Sequence, residues 1–178
     1  MRKYFTLFMS LVLLCGILVG CGDSGKTGAG KTNTSKGDAA EKEYSVTATP
    51  PEGWTAFTDS TTLLRYREDS GLGDFWVKQG YAGEDLDAII SDYKERESQG
   101  GYDIAWEDVN DAKAGGMEAK YLRYTVNAGS LKMRYDAYFI KKDAALFTVI
   151  CLTAAESDYK EVESDYKALL DSLAIAEK

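Results

Sequence analysis

Between Leu131 and Lys141 apolar and charged side chains take turns: Leu131, Met133, Tyr135, Ala137 and Phe139 alternate with Lys132, Arg134 and Asp136. Only a strand sorts residues i and i+2 onto one side, so this segment predicts a β-strand with one buried face. A few residues on, Ala145 to Leu152 is almost continuously apolar, which predicts a central strand covered on both sides. Together they commit the chain to a sheet with layers packed on it. Tyr44 to Ala48, Leu63 to Arg67, Phe75 to Gln79 and Met117 to Val126 read as further strands, and Asn127-Ala128-Gly129-Ser130 closes a hairpin. Pro50-Pro51-Glu52-Gly53 is a turn that cannot continue a ladder.

Two segments switch to helical period. Leu86, Ile89, Ile90 and Tyr93 recur at i, i+3, i+4 and i+7 within Glu84 to Gln99, with Glu84 and Asp85 at the positive end of the helix dipole. Between Asp158 and Leu173, Tyr159, Val162, Tyr166, Leu169, Leu170 and Leu173 form one stripe behind Ser157, a candidate N-cap. Each helix has one face to bury. The expected fold is therefore α+β: an antiparallel sheet of about six strands flanked by helices on both faces, an α/β/α sandwich. The 135 residues from Tyr44 to Lys178 suit a single domain, burying about two-thirds of its unfolded surface in one core.

The N-terminus carries an address. Arg2 and Lys3 precede an apolar run from Tyr4 to Val19, which has the build of a secretory signal and is short for a membrane span of roughly 20 residues. The run closes in Leu18-Val19-Gly20-Cys21, which resembles a bacterial lipoprotein lipobox. That resemblance implies removal of residues 1–20 by a signal peptidase reading Leu18, Val19 and Gly20, and lipidation of Cys21; two buried acyl chains hold a protein durably. Residues 21–43, rich in Gly, Ser, Thr and Lys, read as a flexible tether reaching on the order of 25 Å. The expected location is the extracytoplasmic face of a bacterial membrane, with the domain 44–178 hung from the lipid.

With Cys15 in the signal and Cys21 lipidated, Cys151 is left alone in an apolar run. It reads as a buried, inert thiol. The first 43 residues hold six of the 21 Lys/Arg and four of the 29 Asp/Glu, so the remainder carries a net −10. Such a surface repels phosphate backbones, and nucleic acid is excluded as a partner.

Several motifs match chemistry in letters and fail in context. Gly25-Lys26-Thr27-Gly28-Ala29-Gly30-Lys31-Thr32 fits the phosphate-loop pattern, yet it lies in the tether rather than between a strand and a helix, so no nucleotide is expected. Gly22-Asp23-Ser24-Gly25 echoes a serine-protease nucleophile and Ser-x-x-Lys occurs at Ser91, Ser157 and Ser164, but the chain has no histidine, no Ser-Asp-Asn, and a Lys-Thr-Gly only in the tether, so the companion motifs of the serine–lysine enzymes are not assembled. The two copies of Glu-Ser-Asp-Tyr-Lys, at Glu156 and Glu163, are too few heptads for a coiled coil. The acids Glu84, Asp85, Asp87 and Glu107, Asp108, Asp111 do not follow calcium-loop spacing and read as solvated turns; no pair is singled out for glycosidase chemistry. No catalytic residue, metal ligand or cofactor is expected. The tyrosines and Trp54, Trp76 and Trp106 fill a core or line a groove.

Pro51-Glu52-Gly53-Trp54 after the first strand, Asp85-Leu86-Asp87 at the first helix, Gly115-Gly116-Met117-Glu118-Ala119 at a hairpin and Leu169 to Ile175 at the close resemble, in this order, the PsbP-like group. That fold is shared by a photosystem extrinsic subunit, the Ran-binding Mog protein and small bacterial lipoproteins. The resemblance implies assembly factors or adaptors without a shared catalytic constellation, and transfers no functional residue. The expected function is a non-enzymatic accessory domain binding a protein partner at the membrane; the alternative is a small-molecule or ion-binding module.

Overall fold

The computed structural model describes residues 42–81 and 85–178. Cys21, with Leu18, Val19 and Gly20, lies outside the described residues, as do the phosphate-loop letters and Glu84. The elements run β1 (Tyr44–Thr47), β2 (Trp54–Ala56), β3 (Leu64–Glu68), β4 (Gly73–Tyr81), helix α1 (Leu86–Ser98), β5 (Asp103–Ala114), β6 (Met117–Ala128), β7 (Leu131–Lys142) and β8 (Ala145–Thr153). A 3-10 turn (Glu156–Asp158), helix α2 (Tyr159–Asp171) and β9 (Ala174–Glu177) complete the chain. Seven strands form one antiparallel sheet in the order β2-β3-β4-β8-β7-β6-β5, and β1 pairs with β9 in a separate ribbon.

The described residues thus hold nine strands, seven of them in the main sheet, where about six were expected. β2 is three residues long and β9 four, too short to show a period. β5 is the larger correction. Glu107, Asp108 and Asp111, expected in solvated turns, lie within this twelve-residue edge strand, where solvent on the outer side tolerates charge. The β6–β7 connection is also tighter than expected, two residues with Gly129 at φ 67°.

β8 sits at the centre and its two faces are both buried, as its composition predicts. Phe147, Val149 and Cys151 join Phe75, Val77, Val162, Tyr166 and Leu169 in one core, so α2 packs on that face. On the other face Tyr93 of α1 meets Tyr124 and Phe139 edge-on at 6.1 and 5.2 Å. Helices therefore flank both faces. Asp85 caps α1, its carboxylate accepting from the Asp87 N–H. Ser157 does not cap α2: the 3-10 turn intervenes, and its hydroxyl donates to Asp158 instead.

The motifs that resemble the PsbP-like group all prove to be joints of the fold. Gly53 turns the chain at φ 82° into Trp54, whose indole N–H donates to Asp165 on α2 at 2.8 Å and whose ring meets Tyr166 edge-on. Gly115, at φ 59°, tucks the β5–β6 turn under the end of α2, its N–H bonding the Leu170 carbonyl at 2.7 Å. Ile175 pairs with Val46 across the ribbon, which covers the α2 face where Tyr44 meets Phe147. Lys42 and Glu43, assigned to the tether by sequence, already bond to this ribbon: Lys42 to Asp143 and Glu177, and the Glu43 carbonyl to the Lys178 N–H.

Candidate functional site

Each face of the sheet carries, beside the area its helix packs on, a buried aspartate that locks two arginines. On the α1 face, β3 and β4 bring Arg65, Arg67 and Asp74 together. Strand alternation puts Arg65 opposite Trp76 and Arg67 opposite Asp74 on the same side. Arg65 donates through Nε and Nη2 to both Asp74 oxygens, at 3.0 and 2.6 Å, and through Nη1 to Asp59 at 3.1 Å. Arg67 adds two bonds to Asp74. The Phe57 ring, 47% exposed, lies 5.1 Å from both guanidinium carbons, and Leu63, just before β3, is 44% exposed.

On the α2 face the counterpart is Asp136 on β7, 3% exposed. Arg134, two residues earlier and on the same side, donates through Nε and Nη2 at 2.7 and 3.1 Å. Arg123, opposite Asp136 on β6, donates through Nε at 3.0 Å, and the Tyr121 hydroxyl donates to the same carboxylate. Tyr159 at the start of α2 lies over the Arg134 guanidinium, 3.2 Å from ring centroid to carbon. Tyr138 pairs with Tyr121 at 5.0 Å. A buried carboxylate is tolerated only when charges and hydrogen bonds surround it, and here four donated bonds do so.

The two aspartates lie back to back. Asp74 pairs with Leu152 and Asp136 with Cys151, so the clusters flank β8 one residue apart and project from opposite faces.

Electrostatics keep Tyr121, Tyr138 and Arg123 protonated at ordinary pH. Burial, then the Asp136 charge, pushes the Tyr121 phenol up, and burial with Cys151 and Tyr121 nearby does the same for Tyr138; both stay neutral donors at ordinary pH. Burial lowers Arg123's affinity for its proton, but the Asp136 bond outweighs that and raises it. Cys151 is 1% exposed, and burial pushes its thiol well above the ordinary 9.0, so it is an inert core residue. Among the described residues no group of three or more His, Cys, Asp or Glu is placed to hold a metal ion.

Beside the Asp136 cluster lies an open depression of about 520 Å³ lined by Ser130, Leu131, Lys132, Ala155, Glu156 and Ser157. The Lys132–Glu156 ion pair at 2.5 Å crosses it. Sequence reasoning missed both arginine clusters. Arg134 and Asp136 read as the solvated side of a one-faced strand, whereas α2 covers that side as well. The signal was present: a strand next to one buried on both faces shares its neighbour's layers.

No protein-family model matches the chain, and no curated protein matches it by sequence. Solved structures do match it in fold. LpqN, involved in cell envelope biogenesis of Mycobacterium tuberculosis, is 12% identical with a TM-score of 0.56, over 78% of this chain and 87% of that one. Cyanobacterial PsbP (CyanoP) from Synechocystis is 16% identical with a TM-score of 0.54, over 80% and 98%. The Saccharomyces cerevisiae Ran-binding protein Mog1p is 9% identical with a TM-score of 0.52, over 75% and 95%. Strand order, flanking helices and these superpositions agree that the chain has the α+β fold shared by PsbP and Mog1p.

Proposed function

We propose that this protein is held by a lipid on Cys21 at the extracytoplasmic face of a bacterial membrane, and that its domain is a non-enzymatic accessory module that docks a partner protein there. The observation that carries the reading is the pair of clusters in which a buried aspartate fixes two arginines, one of each pair, Arg67 and Arg123, about one-third exposed, among exposed or half-exposed aromatics. Arginine and aromatic side chains are the groups that concentrate binding energy at interfaces. Held rigid, they lose little side-chain entropy when a partner arrives. The aspartates are occupied by guanidinium bonds, which leaves neither free to move a proton for a substrate.

The neighbours lend support by analogy: Mog1p is a Ran-binding protein and LpqN is involved in cell envelope biogenesis. Crosslinking in intact cells followed by mass spectrometry tests docking, with a recurrent stoichiometric protein partner as the expected result. Turnover of a substrate from an unbiased panel, abolished by a single substitution, would overturn the non-enzymatic reading. For the anchor, Cys21→Ser is expected to abolish labelling by a lipid probe and leave residues 1–20 uncleaved; labelling that persists sinks it.

A further inference from the structure

We infer that the outer edge of β5 is a docking strip for an extended segment of a partner protein in which basic and apolar residues alternate; the inference rests on the docking function proposed above and gives it a site. Among the described residues β5 pairs with β6 alone and ends the sheet. Every second backbone N–H and C=O along it therefore turns outward, away from β6. Sheet edges are ordinarily kept short, and β2 at the other edge has three residues. β5 has twelve and no proline, a span of roughly 40 Å at about 3.4 Å per residue.

The two sides of this edge differ in chemistry. Ile104, Trp106 and Val109 project to the α1 face in register with Val126, Tyr124 and Leu122. All three stay partly exposed, while those partners are buried. They form the margin of the apolar layer, and one more strand would complete their cover. The acids lie toward the α2 face. Asp103 accepts there from the Asn127 side-chain amide at 2.9 Å. The register slips between Trp106 and Val109, so Glu107 and Asp108 together oppose Arg123, and bulges of this kind re-aim side chains. The charge of Arg123 is already answered by Asp136 at 3.0 Å, and Glu107, 58% exposed, stays 3.8 Å from Arg123, too long for a hydrogen bond. The strip is left net negative.

These features define the occupant. Main-chain bonds to the outward N–H and C=O groups supply affinity, and alternate side chains supply specificity. A bound strand sets its apolar residues beside Ile104, Trp106 and Val109 and its basic ones beside Asp103, Glu107 and Asp108. Lys94, whose Nζ lies 5.7 Å from the Trp106 ring, repels a cation placed on the apolar side. A second copy of the chain is a poor occupant: β5 against β5 brings acids to acids, and two domains of net charge −10 repel one another. The same charge draws a basic segment in.

The test is amide hydrogen exchange, read by NMR on the full mature chain in neutral detergent, alone and with acetyl-Lys-Val-Lys-Val-Lys-Val-amide or the same peptide with Glu in place of Lys. The outward amides of 103–114 are expected to exchange fast in the free protein and to become protected with the lysine peptide but not with the glutamate one. Asp103→Lys combined with Glu107→Lys should weaken that binding about tenfold. Glu161→Lys combined with Glu163→Lys makes the same change in net charge on exposed positions of α2 and should leave it nearly unchanged. Equal protection by the two peptides, binding that leaves those amides unprotected, or equal losses in the two double variants overturn the assignment. Protection already present without peptide and growing with protein concentration also overturns it, in favour of a second copy. In cells, a partner still captured at full yield by the Asp103→Lys, Glu107→Lys chain sinks the strip while leaving docking intact, whereas no partner captured by the unaltered chain sinks docking itself.

Discussion

Gly115 and Gly129 both sit at positive φ in hairpin turns, 59° and 67°, yet their surroundings differ. A Cβ at Gly115 would lie 1.9 Å from the Leu173 carbonyl oxygen, while one at Gly129 meets nothing within 4 Å. Gly115→Ala must displace the end of α2 and is expected to cost more than about 2 kcal/mol in urea unfolding. Gly129→Ala carries only the left-handed strain, about 1 kcal/mol. Equal losses would show that the Gly115 contact relaxes freely. At this scale the sequence was readable where a residue does one thing: Trp54 follows its turn into the core and Cys151 disappears into β8. It was not readable at Arg134 and Asp136, because a charged side chain in alternation looks the same whether it faces water or a buried partner. Only the position of α2, set by residues more than twenty positions away, separates the two.

α2 is held at several points: Trp54 donates to Asp165, Tyr166 bonds the Leu152 carbonyl, and the β5–β6 turn grips the Leu170 carbonyl. Trp54→Ala removes a ring that is 6% exposed and is expected to cost about 3–5 kcal/mol. Trp54→Phe keeps most of the packing and loses the bond to Asp165, for about 1 kcal/mol. The difference between the two, read from urea midpoints, measures the packing share; a Phe variant as unstable as the Ala variant would place the whole effect on the hydrogen bond. The helices and β7 were legible from their periods, and β8 from its unbroken apolar run. β5 was hidden by its acids, since an edge strand with one partner obeys the rules of solvent on its outer side. β2 and β9 draw their definition from their partners rather than from any pattern of their own.

Stability of the domain as a whole should form a plateau in pH with two falling limbs, since without histidine no side chain ordinarily titrates between about pH 5 and 8. On the acid side, burial opposes ionisation of Asp59 and Glu68, but hydrogen bonds to Asp59 from Thr61 and Arg65 and to Glu68 from Ser70 and Leu72 outweigh it, holding both below their ordinary 3.8 and 4.5. The unfolded chain then binds more protons than the folded one, so stability is full above those values and falls as pH drops through the lower folded ones. On the alkaline side, burial pushes Cys151 above 9.0 and Tyr93, Tyr124 and Tyr166 above 10.0. The unfolded chain loses those protons first, so stability falls as pH rises past about 9. Urea midpoints across pH 2 to 11 check this, and a steep slope between 6 and 8 would contradict it.

The β1–β9 ribbon has a mechanical meaning. β1 is the first strand of the domain, and four residue pairs join it to β9, with Lys42 clamped to Asp143 and Glu177 just before it. Tension arriving along the chain from residue 42 loads this small ladder before it loads the seven-stranded sheet. The ribbon is therefore the fuse of the molecule: a pull on the N-terminal side peels β1 away while the sheet, with both arginine clusters on it, keeps its shape.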